Sequence, residues 1–236
     1  FKRSGLYGYF DDGERYAFFS KAVLEMMVHL DYYPEILHCH DWQAALAVIY
    51  LKTLYANRYG YDHIKALFTI HNIEYQGKYG YECLADLFGL PESVKNVLDY
   101  EGCLNLMKGA IQLSDRFSTV SPMYANEIKN PFFAHGLQYA VCENEFKLSG
   151  ILNGIDETVY NPATDEKLFK NYSVKDMSGK AVCKSELQKM LGLPEKADAP
   201  LISVISRLVP AKGLELIKCV IEELLAENVQ VVILGK

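Results

Sequence analysis

The chain has 236 residues, of which 50% are hydrophobic and 23% are charged, a composition typical of a globular protein. Its 30 Asp and Glu residues outnumber 24 Lys and Arg residues, giving a net charge of −6. Because no basic block stands out, we expect no nucleic-acid partner. No apolar run approaches the roughly 18 residues of a membrane span, so we expect no membrane partner either.

The six cysteines are scattered, without a Cys-x-x-Cys pair. Cys39 and Cys219 lie inside apolar stretches, which favours reduced thiols in a cytoplasmic protein over a disulfide framework. No signal peptide is present, but the first residue is Phe1 rather than Met. The absence of a targeting segment is therefore uninformative, and the chain is expected to begin inside a longer protein.

Short apolar runs alternate along the chain with longer segments of helical periodicity. The first such segment has Asp11 and Asp12 in front of it as a capping cluster. The predicted helices are 14–30, 42–57, 102–113, 122–129, 136–144, 180–191 and 213–226. The predicted strands are 35–40, 65–71, 116–120, 148–152, 201–207 and 229–234. This alternation predicts an α/β fold, with parallel sheets covered by helices on both faces.

The character of the sequence changes after Asn153, where a segment rich in charges and turn formers has no clean period. We predict most of one domain in 1–155, an interdomain segment in 156–199, and the first βαβ unit of a second domain in 200–236. A single βαβ unit cannot bury its own faces, so the second domain is expected to be incomplete.

Polar residues stand where the predicted strands end. In open parallel sheets, ligands bind beyond the carboxyl ends of the strands. Several polar side chains at one edge therefore predict a ligand crevice that they line. These residues are His40, Asp41, His71, Asn72, Ser118, Ser121, Asn153 and Arg207.

The segment HCHDW, residues 38–42, alternates, so His38 and His40 share one face of their strand. Asp41 has two interpretations. It either presents a carboxylate to the crevice or caps the helix that begins near Trp42, and one residue can do both.

The segment FTIHNIEYQG, residues 68–77, ends an apolar run on His71. An imidazole there is either a satisfied histidine at a strand end or a ligand-binding group. Tyr75, Gln76 and Gly77 in the following turn favour the second interpretation. Amide, ring and backbone groups recognise sugar hydroxyls, and sugar rings pack on aromatic faces.

The segment SRLVPAKG, residues 206–213, places Arg207 after a strand and Lys212 before a helix. Two cations beside a helix N-terminus suit a diphosphate and stabilise the charge on it as it departs. The alternative is a solvated loop with two surface cations. Neither a G-x-G-x-x-G motif nor a P-loop is present, so a dinucleotide or ATPase function lacks its main signal. Asn153-Gly154 in GILNGID, taken alone, is typical of a plain turn.

Six segments, in this order, closely resemble bacterial glycogen synthases and plant starch synthases. The match runs from about Asp11 to Lys236. The H-N-x-x-Y-Q-G and S-R-L-x-x-x-K-G patterns together make the resemblance specific. The segments are DDGERYAFFSKAVLE, HCHDWQAAL, FTIHNIEYQG, TVSPMYANEI, GILNGID and SRLVPAKGLELI.

The resemblance implies a GT-B glycosyltransferase with two facing Rossmann-like domains, present here as about half of the enzyme. The family transfers glucose from ADP-glucose or UDP-glucose to the non-reducing end of an α-1,4-glucan, with retention, and needs no metal or other cofactor. The family's glycine-rich loop with its lysine, and the acidic residue of its second domain, have no counterpart in this chain. We therefore expect residues 1–236 alone to be inactive.

By resemblance, His71 lies beside the transferred glucose, Asp41 lies near the reaction centre on the acceptor side, and Asn153 contacts the donor. Arg207 and Lys212 hold the donor diphosphate and, without a metal, stabilise the leaving group.

The resemblance also implies that three residues help to shape the sugar pocket: Tyr75, Gln76 and Gly77. A bacterial member of the family is expected in the cytoplasm, and a plant member in the plastid.

Three alternatives remain open at the level of the sequence. A metal-dependent hydrolase would use His38, His40, Asp41 and His71 as ligands, although His135 is the only later histidine. A non-catalytic glucan-binding module would share the family's ancestry. A sucrose-synthesising glycosyltransferase fits the Arg207 loop, but fits the turn after His71 less well.

Overall fold

The computed structural model describes residues 2–236. The chain divides into two compact units, Phe1–Asn153 and Gly154–Lys236. The predicted interdomain segment, 156–199, falls within the second unit, where it contains a helix of its own.

The order of elements follows the predicted alternation of helices and strands. The helices are α1 (Asp12–Leu30), α2 (Asp41–Thr53), α3 (Cys83–Asp86), α4 (Lys95–Leu98), α5 (Leu106–Leu113), α6 (Pro122–Glu127), α7 (Pro131–Ala134), α8 (Gln138–Glu143), α9 (Ser178–Met190) and α10 (Leu214–Ala226). The strands are β1 (Ile36–His40), β2 (Lys65–Ile70), β3 (Lys78–Tyr79), β4 (Asp99–Tyr100), β5 (Cys103–Asn105), β6 (Arg116–Thr119), β7 (Leu148–Gly150), β8 (Leu201–Ile205) and β9 (Gln230–Leu234). Three short 3-10 turns cover Glu92–Val94, Glu145–Lys147 and Pro210–Lys212.

The first unit is built on a parallel sheet with the strand order β1-β2-β6-β7. Cys39 pairs with Phe68, which pairs in turn with Phe117, and all three side chains are buried. This apolar row lies in the same hydrophobic core as helices α2 and α5. The α/β prediction is confirmed, and each of the four predicted strands in this unit is present within two residues of its predicted ends.

Helix α2 supplies the centre of the core, because every residue from 45 to 51 is buried. It packs against α1 on one side and α5 on another. Helix α5 is capped by Asn105, whose side chain accepts a hydrogen bond from the Lys108 backbone N–H. Ser121 caps α6 in the same way through the Tyr124 N–H. Both helix starts are thereby fixed close to the ends of strands.

The predicted helix over 102–113 was wrong at its start, because residues 103–105 form β5. This strand pairs antiparallel with β3 and β4 in a small second sheet that the sequence did not reveal. Glu101 and Gly102, which join β4 to β5, both have positive φ (53° and 83°), as a tight hairpin requires. Strands of two or three residues are too short to carry a period.

The second unit contains the parallel pair β8 and β9, with helices α9 and α10. Both predicted strands and both predicted helices are present here with small shifts at their ends. Most of its side chains are exposed, and within 154–236 the buried residues are Gly179, Gln188, Ala199 and Gln230. Among the described residues, no helix combines the length and apolar character needed to cross a membrane.

Candidate active site

The ends of β1 and β2 are joined by the side chain of Asp41. Its Oδ1 accepts a hydrogen bond of 2.7 Å from the His71 backbone N–H and a longer one of 3.4 Å from the Asn72 N–H. The N-cap position of α2 is His40 rather than Asp41, and the His40 side chain makes no capping hydrogen bond within the described chain. The capping interpretation of Asp41 was therefore wrong. The carboxylate instead holds the neighbouring strand end, and Asp41 has a left-handed backbone with φ 55°.

Three histidines gather beside this contact. His40 Nδ1 lies 3.0 Å from His71 Nε2, within hydrogen-bond distance. The ring of His38 packs on that of His40, with 4.1 Å between centroids, and its Nε2 lies 2.7 Å from Thr69 Oγ1. Burial lowers the pKa of His38, and the nearby His40 and His71 lower it further. Both effects favour the neutral form of the His38 imidazole.

In the turn after His71, backbone N–H groups donate hydrogen bonds to nearby side chains. The Oη of Tyr124, on α6, accepts a hydrogen bond of 3.1 Å from the Ile73 N–H. Burial raises the pKa of Tyr124. The Asn72 side chain accepts a bond of 2.9 Å from the Glu74 N–H, which closes a local turn. The backbone that carries His71 is therefore tied to both α2 and α6.

Gln76 lies behind this turn, with 4% of its surface exposed. Its Nε2 donates to the carbonyl oxygens of Ile73 and His135, both at 3.0 Å. Its Oε1 accepts a bond of 2.8 Å from Asn105 Nδ2. Both of its amide hydrogens are thus used inside the protein. Gln76 braces the turn, and this geometry gives no support to the expectation that its amide group recognises a sugar.

Tyr75 and Gly77 line an open cavity of about 420 Å³. Tyr75 is 55% exposed. Gly77 has φ 67°, and a Cβ there would lie 2.8 Å from Trp42 Cε3, so the indole packs directly on its backbone. Aromatic rings mixed with polar groups in an open cavity suit a sugar. The other lining residues are Tyr9, Asp12, Trp42, Glu74, Gln76, Lys78 and Tyr79.

Asn153 lies at the same edge of the sheet, three residues after β7. Strand β7 is two places from β2, a separation of about 10 Å. The Asn153 side chain is exposed and forms no hydrogen bond with residues 2–236. The structure therefore brings Asp41 and His71 together, and leaves Asn153 apart from them on the same edge.

Arg207 and Lys212 lie in the second unit, on the loop between β8 and α10. Lys212 ends the 3-10 turn Pro210–Lys212, and Gly213, with φ 72°, precedes the first residue of α10. Both cationic side chains are exposed, and neither forms an ion pair or hydrogen bond within the described chain. Two unpaired cations beside a helix start suit an anion.

The proposed metal ligands of the rival hydrolase do not form a suitable group. Among residues 2–236, no three His, Cys, Asp or Glu side chains are arranged to hold a metal ion. His38, His40 and His71 contact one another and Thr69 instead. The geometry therefore gives the hydrolase hypothesis no support.

Known proteins resemble this chain over its whole length. A family model described as the starch synthase catalytic domain matches residues 1–142. The chain belongs to this family. It is 46% identical over 237 residues to a glycogen synthase of Alkaliphilus metalliredigens, and 47% identical over 238 residues to one of Clostridium acetobutylicum. Each comparison covers 100% of this chain and 50% of the relative.

A solved structure is similar in fold. It is the catalytic domain of starch synthase IV from Arabidopsis thaliana bound to ADP and acarbose, with a TM-score of 0.89 and 38% identity. The match covers 99% of this chain and 48% of that one. The predicted family and GT-B type of fold are thus confirmed, and the chain spans about half the length of the curated relatives it matches.

Sequence reasoning missed two site residues, Trp42 and Tyr124. Trp42 follows Asp41 directly, and an aromatic residue next to a candidate site carboxylate could have indicated that it belongs to the same site. Tyr124 follows β6 on α6, 51 residues from its partner Ile73, and no local pattern indicates that contact.

Proposed function

We propose that this chain forms about half of a retaining glycosyltransferase. The enzyme transfers glucose from a nucleoside-diphosphate glucose to the non-reducing end of an α-1,4-glucan. The observation that carries the proposal is the 2.7 Å contact that ties His71 to the Asp41 carboxylate, beside an aromatic cavity at the strand ends. The similarity to glycogen synthases along the entire chain supports it.

In this proposal, Asp41 and His71 are the catalytic residues beside the transferred glucose. Tyr75, Gly77 and Trp42 form the wall of the acceptor-side pocket, where the ring faces offer apolar contact to a sugar. The open cavity that these three residues line supports that role.

The donor side of the proposal rests on Arg207 and Lys212. Their positive charges bind the diphosphate and stabilise the negative charge that develops on it as the glucosyl bond breaks. Their lack of partners within the described chain supports this role. Asn153 is proposed to contact the donor.

An ADP-linked donor is favoured over a UDP-linked one by the ADP in the similar plant starch synthase structure. Because the curated relatives compared above are bacterial glycogen synthases, we propose the bacterial cytoplasm as the location. Six free cysteines are consistent with a reducing compartment.

The test is a donor assay on the full-length protein, with ADP-glucose and UDP-glucose offered separately and glycogen as acceptor. We expect glucose incorporation into glycogen from ADP-glucose, and no turnover by residues 1–236 alone. Glycogen binding without transfer from either donor would overturn the proposal in favour of a non-catalytic glucan-binding module. Transfer only to free fructose would favour the sucrose-synthesising alternative.

A further inference from the structure

A row of polar side chains crosses one face of the parallel sheet. Thr69 on β2 is paired in register with His40 on β1 and with Ser118 on β6. Thr69 Oγ1 lies 2.8 Å from Ser118 Oγ and 2.7 Å from His38 Nε2. Parallel sheets are normally apolar on both faces, so core packing alone does not account for this row.

The row ends at the candidate active site. The His40 ring lies between two other imidazoles, with centroids 4.1 Å from His38 and 5.3 Å from His71. His38 Nε2 lies within hydrogen-bond distance of Thr69 Oγ1, and burial, followed by the other two histidines, lowers the pKa of His38, which favours its neutral form. His40 therefore packs against a ring that is itself held in place.

The contact between His40 and His71 restricts both rings. A hydrogen bond between Nδ1 of His40 and Nε2 of His71 requires that one nitrogen carries a hydrogen and the other does not. Whichever ring is the donor, Nε2 of His71 is occupied. Nδ1 is then the only nitrogen of the His71 ring that is available to a ligand.

We propose that His40 is a positioning residue for His71. Asp41 accepts a hydrogen bond from the backbone N–H of His71, and His40 contacts Nε2 of the His71 ring. The backbone and the ring of His71 are therefore fixed separately, by two adjacent residues. His40 leaves Nδ1 of His71 to the bound sugar. The identity of that ligand rests on the proposed function, whereas the contact between the rings does not.

The direct test is nitrogen NMR of the intact protein labelled with ¹⁵N-histidine. We expect a scalar coupling across the hydrogen bond between His40 Nδ1 and His71 Nε2, which is lost in His40→Phe. Failure to observe that coupling in the wild-type protein, with both rings assigned, would overturn the proposal. This measurement needs no catalysis, so it decides the inference even if the protein proves not to transfer glucose.

The functional test compares His40→Phe with His40→Asn in the full-length enzyme. We expect His40→Phe to lower kcat about 100-fold, the scale of a misplaced catalytic group, with a much smaller change in the donor KM. The Asn amide lies near the position of Nδ1, so His40→Asn should recover at least about tenfold of that loss. His63→Phe, which removes an exposed histidine outside the row, should leave kcat unchanged.

Two kinetic results would contradict the positioning role. One is wild-type kcat in a folded His40→Phe enzyme. The other is an equal loss in His40→Phe and His40→Asn, because a purely structural role would not distinguish a hydrogen-bonding side chain from an apolar one.

Discussion

The turn after β2 and the loop after β8 follow strands of the same kind, yet they are held very differently. In the turn, the backbone N–H groups of His71, Asn72 and Ile73 each donate to a side chain from another element. In the loop, the side chains of Arg207 and Lys212 have no hydrogen-bond or ionic partner within residues 2–236.

Under the proposed function, this difference indicates two ways of preparing a binding site, one for the sugar and one for the diphosphate. Groups that must recognise an uncharged sugar depend on shape, so their geometry is fixed in advance by the surrounding unit. Cations that bind a diphosphate act mainly through charge, and side chains left unpaired in water keep that charge available. Substitutions in the turn should therefore affect stability as well as activity, whereas substitutions in the loop should affect activity alone.

The largest expected effect is on activity. In the full-length protein, under the proposed function, Arg207→Ala and Lys212→Ala should each lower kcat/KM by the equivalent of about 3 kcal/mol or more, the scale of losing one group that stabilises charge in the transition state. The free energy of unfolding should change by no more than about 0.5 kcal/mol, because no partner is lost.

Lys218→Ala is the matched control for those two variants. Lys218 is an exposed cation on α10 whose ammonium group contacts Glu215 at 2.7 Å. Its removal should leave kcat/KM unchanged. Wild-type kcat/KM in Arg207→Ala or Lys212→Ala would rule out the diphosphate role of that residue.

The next largest expected effect is on stability, and it concerns Gln76, whose side chain makes buried hydrogen bonds behind the turn. Gln76→Leu leaves the Ile73 and His135 carbonyl oxygens and the Asn105 amide without their buried partner. We expect a loss of about 2 to 3 kcal/mol in the free energy of unfolding, measured by urea denaturation followed by circular dichroism.

Gln112→Leu provides the comparison, because Gln112 is exposed on α5. That substitution should be close to neutral. Equal stability of Gln76→Leu and the wild-type chain would show that the turn does not depend on this amide.

Alanine substitutions at two glycines with positive φ distinguish the cost of backbone strain from the cost of a steric clash with a neighbouring side chain. Gly89 has φ 60° and open space where a Cβ would lie, whereas a Cβ on Gly77 would lie 2.8 Å from the Trp42 ring. Gly89→Ala should cost about 1 kcal/mol for the left-handed backbone alone. Gly77→Ala should cost about 2 kcal/mol or more, because the indole must also move. Equal losses in the urea midpoint would show that Trp42 is not tightly packed there.

The smallest expected effect is on the free energy of unfolding, and it concerns Asp115, which contacts the N-terminal end of β2. Asp115 Oδ2 accepts a bond of 2.7 Å from the Ala66 N–H and lies 2.6 Å from Lys52 Nζ. Burial opposes a low pKa for Asp115, but the hydrogen bonds from Lys52 and Ala66 outweigh it and hold the pKa below 3.8. Asp115→Asn should cost about 1 kcal/mol at pH 7.

The sign of the pH dependence follows from that lowered pKa. The folded state binds the proton of Asp115 less tightly than the unfolded chain does, so the stabilisation is present above pH 3.8 and is lost as the pH falls through the folded pKa. The difference between wild type and Asp115→Asn should therefore shrink in urea titrations at acid pH. A difference that is constant down to pH 2 would contradict this account.

The framework of the fold could be predicted from the sequence because apolar strands and amphipathic helices carry clear periods. Polar strand ends also predicted that Asp41 and His71 would meet, since neighbouring parallel strands end at one edge. The role of Gln76 could not be predicted, because its partners Asn105 and His135 lie 29 and 59 residues away. The short strands β3, β4 and β5, which deliver Asn105, have no detectable period.

The packing of Trp42 against Gly77 has a practical consequence. Trp42 is the only tryptophan of the chain, and it lies at the wall of the open cavity. Indole fluorescence from residues 1–236 thus originates at one place, beside the candidate acceptor pocket. A titration with maltooligosaccharides should shift that emission without any attached dye, which separates glucan binding from glucosyl transfer in a single cuvette.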